Sequence, residues 1–221
     1  MRQLPLDLGH RPALGGADFL VAPPNREAVA WLDRWPDWPA PALVLTGPAG
    51  SGKTHLAHVF AARAGAVLIA PGALTVARLP DLLGAARAAA LDDAAGAEEQ
   101  AFLHLYNMLA ERGGHLLVLA REPPARWGIV LADLRSRLLA VPVARLLPPD
   151  DALLSAVLVK LFADRQLQVG EEVVVYLLAR LERSFDAARR AVAALDRAAL
   201  AAQRRVTVPL VRGVLGEGGE G

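Results

Sequence analysis

No cysteine occurs anywhere in the 221 residues. A disulfide framework and a thiolate metal site are therefore excluded, and the composition suits a reducing compartment, the cytoplasm. Aromatic residues make up only 5% of the chain and methionine occurs twice, so any core must be built largely from alanine, leucine and valine. Charge of neither sign dominates, with 24 Lys and Arg against 23 Asp and Glu and a formal net charge of +1. A strong footprint for nucleic acid is thus missing, because that needs basic residues concentrated on one surface. No uncharged run is both long enough and free enough of proline and glycine to span a bilayer. Asp7, His10 and Arg11 interrupt the N-terminal segment where a secretory signal peptide would carry its apolar stretch, so no signal peptide is expected.

What is present is an alternation. Strand-like runs stand at 42–46 (ALVLT), 66–70 (AVLIA), 115–120 (HLLVLA) and 141–146 (VPVARL). Helical patterns separate them at 53–63, from Glu98 through EEQAFLHLYNMLAERG, and from Leu131 through LADLRSRLLA. Such alternation predicts βαβ units, hence an α/β fold with a central parallel sheet. The segment RAAALDD (87–93) is a strand by position, yet its alanines read equally as helix. After LPPDD the grammar changes to amphipathic helices alone, broken at QVG (168–170) and ERS (182–184), with Asp150 as a helix N-cap. The expected organisation is a leader at 1–16, a nucleotide-binding α/β subdomain at 17–148, a small all-helical subdomain at 149–216 and a tail at 217–221.

The most specific feature is GPAGSGKT: Gly47, Pro48, Ala49, Gly50, Ser51, Gly52, Lys53 and Thr54. It matches G-x-x-x-x-G-K-[ST] and lies straight after one strand and at the opening of a helix. The glycines free the backbone N–H groups to wrap phosphate oxygens, and the helix N-terminus adds its dipole. Lys53 is expected to reach the β- and γ-phosphates, and the Thr54 hydroxyl to ligate Mg²⁺. Such a site needs a second carboxylate on a neighbouring strand. Asp92 is the candidate for the metal side and Asp93 for orienting a water, although the same pair also reads as the acidic start of a helix. His55 and His58 lie at i, i+3 without a third ligand, which makes packing or surface histidines a better reading than a metal pair. Trp31, Trp35 and Trp38 read as core and interdomain packing. The arginines at 189, 190, 204 and 205 read as solvated helix faces.

One further segment is unusual. Residues 3–8 read QLPLDL, with Leu4, Leu6 and Leu8 alternating with Pro5 and Asp7 in an extended period. Proline suits a central strand poorly, so the alternatives are an edge strand or a peptide that docks into another protein.

FLVAPPNREAV, GPAGSGKTHLAHVFA, the Asp92–Asp93 pair, LYNMLAERG, REPPARW and LADLRSRL follow one another in an order that resembles the DnaA-related AAA+ family. The C-terminal stretch AALDRAALAAQRRVTVPLVRGVL is similar to the Hda-type branch of that family, in which a short protein inactivates the replication initiator DnaA. The resemblance covers nearly the whole chain. It implies a P-loop AAA+ domain with a helical lid, and bound ADP or ATP with Mg²⁺. It places Phe19, Leu20, Val21 and Asn25 on the adenine side, Gly47–Thr54 with His55 around the phosphates, and Thr54 and Asp92 on the metal. Gln3, Leu4, Leu6 and Leu8 match the peptide by which Hda-type proteins bind the DNA polymerase sliding clamp, and a Gln with leucines on an extended peptide suits a preformed apolar groove. Arg137 matches the arginine finger offered to a neighbour's nucleotide. The implied partners are the clamp and DnaA, with a second copy of the chain as a further candidate, and neither a membrane nor direct sequence-specific DNA binding.

Two positions depart from the family. Arg121 stands where a small polar or acidic sensor residue precedes the prolines, and Asp186 stands where a lid arginine contacts the protein's own γ-phosphate. Both changes argue against robust self-hydrolysis and favour a diphosphate. The expected function is therefore negative regulation of replication initiation through stimulated hydrolysis of DnaA-bound ATP. An autonomous P-loop ATPase acting on DNA is the alternative, and a small-molecule kinase leaves the leader and LRSRL unexplained.

Overall fold

The computed structural model describes residues 20–70 and 72–216, which divide at Leu147 and Pro148 into two compact units. The first unit is built on five strands: β1 (Ala42–Thr46), β2 (Val67–Ile69), β3 (Ala88–Leu91), β4 (His115–Ala120) and β5 (Val143–Arg145). They form one parallel sheet in the order β2-β3-β4-β1-β5. Among the described residues the α-helices of this unit are α1 (Arg26–Asp33), α2 (Lys53–Ala64), α3 (Leu79–Leu83), α4 (Glu99–Glu111) and α5 (Ala132–Ala140).

Every residue of β1 is buried, as a strand covered on both faces must be. Successive side chains then serve opposite layers. Leu43, Leu45, Ala88, Ala90, Leu117 and Leu119 pack with α1 and α2 through Leu32, Leu56 and Phe60. Ala42, Val44, Ala89, Leu91, Leu116 and Val118 face α3, α4 and α5 through Leu79, Phe102, Leu105, Leu134 and Leu138. The result is a three-layer sandwich.

The alanine-rich run at 88–91, open to two readings in sequence, is strand β3, buried throughout and paired on both sides. Alanine favours helix locally, but a strand covered on both faces can use small residues to admit its neighbours closely. Its entry depends on Gly114, where a Cβ would overlap the Arg87 carbonyl oxygen that accepts the His115 N–H. The runs at 66–70 and 141–146 contribute only three-residue strands each, at the two edges of the sheet, where only one neighbour pairs.

The tryptophan-rich stretch yields α1 and the turn after it. Trp38 is buried, stacks on Phe60 at 5.5 Å and donates its indole N–H to the Trp31 carbonyl at 2.7 Å. Arg63 of α2 donates to the carbonyls of Leu32 and Trp35 at 3.1 and 3.0 Å, which supplies donors to the C-terminal end of α1.

The second unit is helical: α6 (Asp151–Ala163), α7 (Glu171–Leu178), α8 (Phe185–Ala202) and α9 (Val208–Val214). Asp150 caps α6 by accepting the Leu153 N–H at 2.8 Å, and Ser184 caps α8 by accepting the Ala187 N–H at 3.1 Å. Leu154, Leu158, Phe162, Val173, Leu177, Val192 and Leu195 form its own core. Among the described residues no helix is long and apolar enough to cross a membrane.

Candidate functional site

The chain leaves β1 at Thr46 and turns at once into the glycine-rich loop. Gly47 has no room for a side chain, since a Cβ there would lie 2.6 Å from the Leu146 carbonyl oxygen and 2.8 Å from Ser51 Oγ. Gly50 and Gly52 take φ of 68° and 98°, the left-handed region that glycine enters without penalty. Gly52 then immediately precedes α2, so the loop's N–H groups and the helix N-terminus converge.

Lys53 folds back over this loop and donates from Nζ to the carbonyls of Gly47 and Pro48, both at 2.7 Å. One residue on, Thr54 Oγ1 donates to Asp92 Oδ2 at 3.0 Å. Asp92 immediately follows β3, and its other oxygen accepts the Asp93 N–H at 2.9 Å. The carboxylate is thus aimed back toward α2. Asp93 is exposed, in a left-handed conformation with φ 46°, ahead of a short 3-10 turn at Ala94–Gly96. Asp92 thus faces Thr54, and Asp93 leads into that short turn rather than into α4, which starts at Glu99.

A cavity of about 230 Å³ opens beside this pair, lined by Thr54, His58, Leu68, Ile69, Ala90 and Asp92 among others. His58 is exposed at its wall and His55 is half-buried in the first turn of α2. Among the described residues no group of three or more His, Cys, Asp or Glu side chains could hold a metal ion by themselves. A hydroxyl with one carboxylate is nevertheless the hard oxygen set that Mg²⁺ takes when substrate phosphates and water complete its shell. Ser51 Oγ, inside the loop, is buried without a hydrogen-bond partner among the described residues. A glycine-rich cradle, an ammonium, this spare hydroxyl and the Thr54–Asp92 pair together fit a nucleoside phosphate with its magnesium.

Of the adenine-side residues, Leu20, Val21 and Asn25 are described, and Phe19 lies outside the described residues. Asn25 is buried and bonded at both ends of its amide. Its Oδ1 accepts the Ala22 N–H and its Nδ2 donates to the Leu20 carbonyl, both at 2.8 Å. The side chain shapes the turn, which the Leu147 N–H ties to the strand side through the Pro24 carbonyl at 2.9 Å. Gln3, Leu4, Leu6 and Leu8 also lie outside the described residues.

Arg137 is exposed in the last turn of α5, in the layer opposite α2. Its guanidinium carbon sits 5.5 Å from the centre of the Tyr106 ring on α4. Arg121 is exposed directly after β4, whose last residue, Ala120, accepts the Gly47 N–H at 3.2 Å. In the helical unit, Asp186 pairs with Arg189 at 2.7 Å, so the carboxylate and one of the two arginines after it occupy each other.

Residues 151–215 match the family model described as "Hda, lid domain". The match lies within the second compact unit. The fold of the whole is similar to domain III of the Thermotoga maritima replication initiation protein DnaA, with a TM-score of 0.78 at 18% identity over 90% of this chain and 94% of that one. It is also similar to AMPPCP-bound DnaA from Aquifex aeolicus (TM-score 0.64, 19% identity, 80% and 62% covered). A third likeness is the Thermotoga maritima RuvB Holliday junction branch migration motor (0.65, 16%, 80% and 61%). The chain spans about three-fifths of the length of the last two proteins. The fold is thus that of a P-loop AAA+ protein with a helical lid, as the family resemblance implies, and its parallel sheet is the one that the alternation of strands and helices predicts. An Hda lid on this fold supports a replication-initiation-related AAA+ protein.

Sequence reasoning passed over Glu99 and Tyr106. Both lie inside EEQAFLHLYNMLAERG, which reads only as a helical pattern, and nothing local signals their partners.

Proposed function

We propose that this chain is a nucleotide-bound negative regulator of replication initiation, tethered through Gln3–Leu8 to the DNA polymerase sliding clamp, that supplies Arg137 in trans to ATP held by DnaA. The observation that carries the reading is the placement of Arg137. It is exposed on the layer of the sheet opposite its own P-loop helix, so it is presented outward rather than to Lys53 and Thr54. The Hda lid supports the family setting.

Within the chain's own site, Lys53 and the loop N–H groups hold the phosphates, Thr54 and Asp92 hold Mg²⁺, Asp93 stands ready to orient a water, and Leu20, Val21 and Asn25 border the base. Bound Mg²⁺ supplies neutralisation of phosphate charge. ADP is the preferred resident, because Asp186 adds negative charge at the lid position where the family has an arginine and Arg189 is already paired with it. Calorimetric titration tests this: distinctly tighter ATP would overturn the preference.

A guanidinium delivered in trans stabilises charge developing on the transferred phosphoryl group, an effect of roughly 10³–10⁵ in rate. Arg137→Ala should therefore leave folding and nucleotide binding intact yet abolish stimulated phosphate release from ATP-bound DnaA on clamp-loaded DNA. Arg137→Lys should rescue little, because a point charge does not reproduce the planar fork. Full stimulation by Arg137→Ala would sink the reading. The intact Thr54–Asp92 pair favours a second reading, an autonomous ATPase. Turnover by the chain alone, undiminished without DnaA and clamp, would select it.

A further inference from the structure

Helices α4 and α5 are joined by two polar contacts as well as by their apolar cores. Glu99, in the first turn of α4, accepts the Val130 N–H through Oε1 at 2.9 Å and the Leu131 N–H through Oε2 at 2.6 Å. Leu131 is the N-cap residue of α5, whose cap makes no side-chain hydrogen bond of its own. A carboxylate from the neighbouring helix therefore grips the backbone where α5 begins, the end at which negative charge is favoured. Seven residues along α4, two turns later and on the same face, stands Tyr106. It is 7% exposed, packed among Phe102, Leu105 and Leu109, and its ring carries the Arg137 guanidinium at 5.5 Å. Burial pushes the Tyr106 phenol up, and the nearby Arg137 charge opposes that rise, which agrees with the contact.

We propose that Glu99 and Tyr106 are positioning residues for Arg137: the first sets where α5 starts and the second holds the guanidinium over a fixed aromatic face. An exposed arginine otherwise samples many rotamers, and a finger acts only when it arrives in the productive geometry. A cation lying over an aromatic ring is held by the ring's quadrupole while its N–H edge stays free to donate. The inference rests on the trans reading of Arg137 given above.

The test uses the full chain with clamp-loaded DNA and ATP-bound DnaA, and follows both the maximal stimulated rate and the concentration giving half of it. Melting temperature and ADP binding identify any variant that fails to fold. Tyr106→Phe keeps the ring and should stay within about twofold of the wild type. Tyr106→Leu should lower the maximal rate about tenfold with the half-saturating concentration unchanged, the signature of a misplaced group. Glu99→Gln, which keeps one acceptor, should fall between the wild type and Glu99→Ala, so the proposal stays testable even where Tyr106→Leu does not fold. A full rate in Tyr106→Leu or Glu99→Ala, or equal losses in Tyr106→Phe and Tyr106→Leu, would each overturn the positioning role. Arg137→Ala at the wild-type rate would instead remove the finger reading itself, so the two failures are distinguishable.

Discussion

Thr54 and Asp92, 38 residues apart in the chain, share a hydrogen bond of 3.0 Å. The contact joins the first turn of α2 to the residue that leaves β3, and β4 lies between β3 and β1 in the sheet. Crevices at the carboxyl ends of parallel strands are where open α/β sheets bind ligands, at the point where strand order reverses. Here that point lies at β1, whose neighbours are β4 and β5.

On the proposed function, this pair divides the nucleotide site into a phosphate half and a metal half. If Lys53 serves the phosphates as proposed, with or without metal, Lys53→Ala should weaken ADP and ATP by at least about 100-fold. Asp92→Asn preserves an acceptor for Thr54 but removes the charge. It should lower affinity about tenfold with Mg²⁺ present and leave metal-free binding nearly unchanged. Calorimetry with and without Mg²⁺ reads both. Equal affinities for wild type and Asp92→Asn in Mg²⁺ would reduce the pair to a structural hydrogen bond.

The leader makes a prediction independent of the nucleotide. Gln3→Ala, or Leu6→Ala combined with Leu8→Ala, should remove binding to the sliding clamp without moving the melting temperature. Surface plasmon resonance on immobilised clamp measures the first and scanning calorimetry the second. A large fall in melting temperature would place the segment in the chain's own sheet instead.

His115 links the tryptophan cluster to pH. It opens β4 with Trp35 and Trp38 edge-on to its ring, at centroid distances of 6.2 and 5.4 Å. Burial holds its pKa below the usual 6.5, and the Asp37 carboxylate only partly opposes this. The folded state therefore binds its proton less readily than the unfolded chain, so stability declines as pH falls through 6.5 toward the lowered value. Melting curves between pH 7 and about 5.5, where most carboxylates stay ionised, should show that decline. His115→Gln should flatten it, and an unchanged slope in the variant would assign the decline to other groups.

Close backbone approach at Gly114 predicts a stability effect far from the site. A Cβ there meets the Arg87 carbonyl, which cannot swing away as a side-chain end would. Gly114→Ala should cost about 1–3 kcal/mol in urea unfolding. Gly96→Ala, where the added methyl meets open space, should stay within about 0.5 kcal/mol. Similar losses at both positions would contradict the steric account.

Local chemistry made much of the fold legible. ALVLT and HLLVLA are strands β1 and β4 residue for residue, because buried parallel strands read as continuous apolar runs. The glycines of the loop announced the backbone that Gly50 and Gly52 adopt, and Asp150 announced the cap it makes. Each depends on residues within a few positions of one another. RAAAL could not be decided that way, since alanine's local preference is helical and only β2 and β4 on either side make it a strand. The Trp-rich stretch likewise concealed α1, whose C-terminal carbonyls are met by Arg63 from some thirty residues away. The same divide runs through the site. A phosphate loop is a continuous segment whose spacing is its mechanism, so the residues from Gly47 to Thr54 carry their own signature. The bond from Thr54 to Asp92, the grip of Glu99 on Val130 and Leu131, and the ring beneath Arg137 join segments about 30 to 40 residues apart. Hydrophobic burial on the two faces of one sheet brings those segments together, and no short-range propensity encodes which side chains then meet.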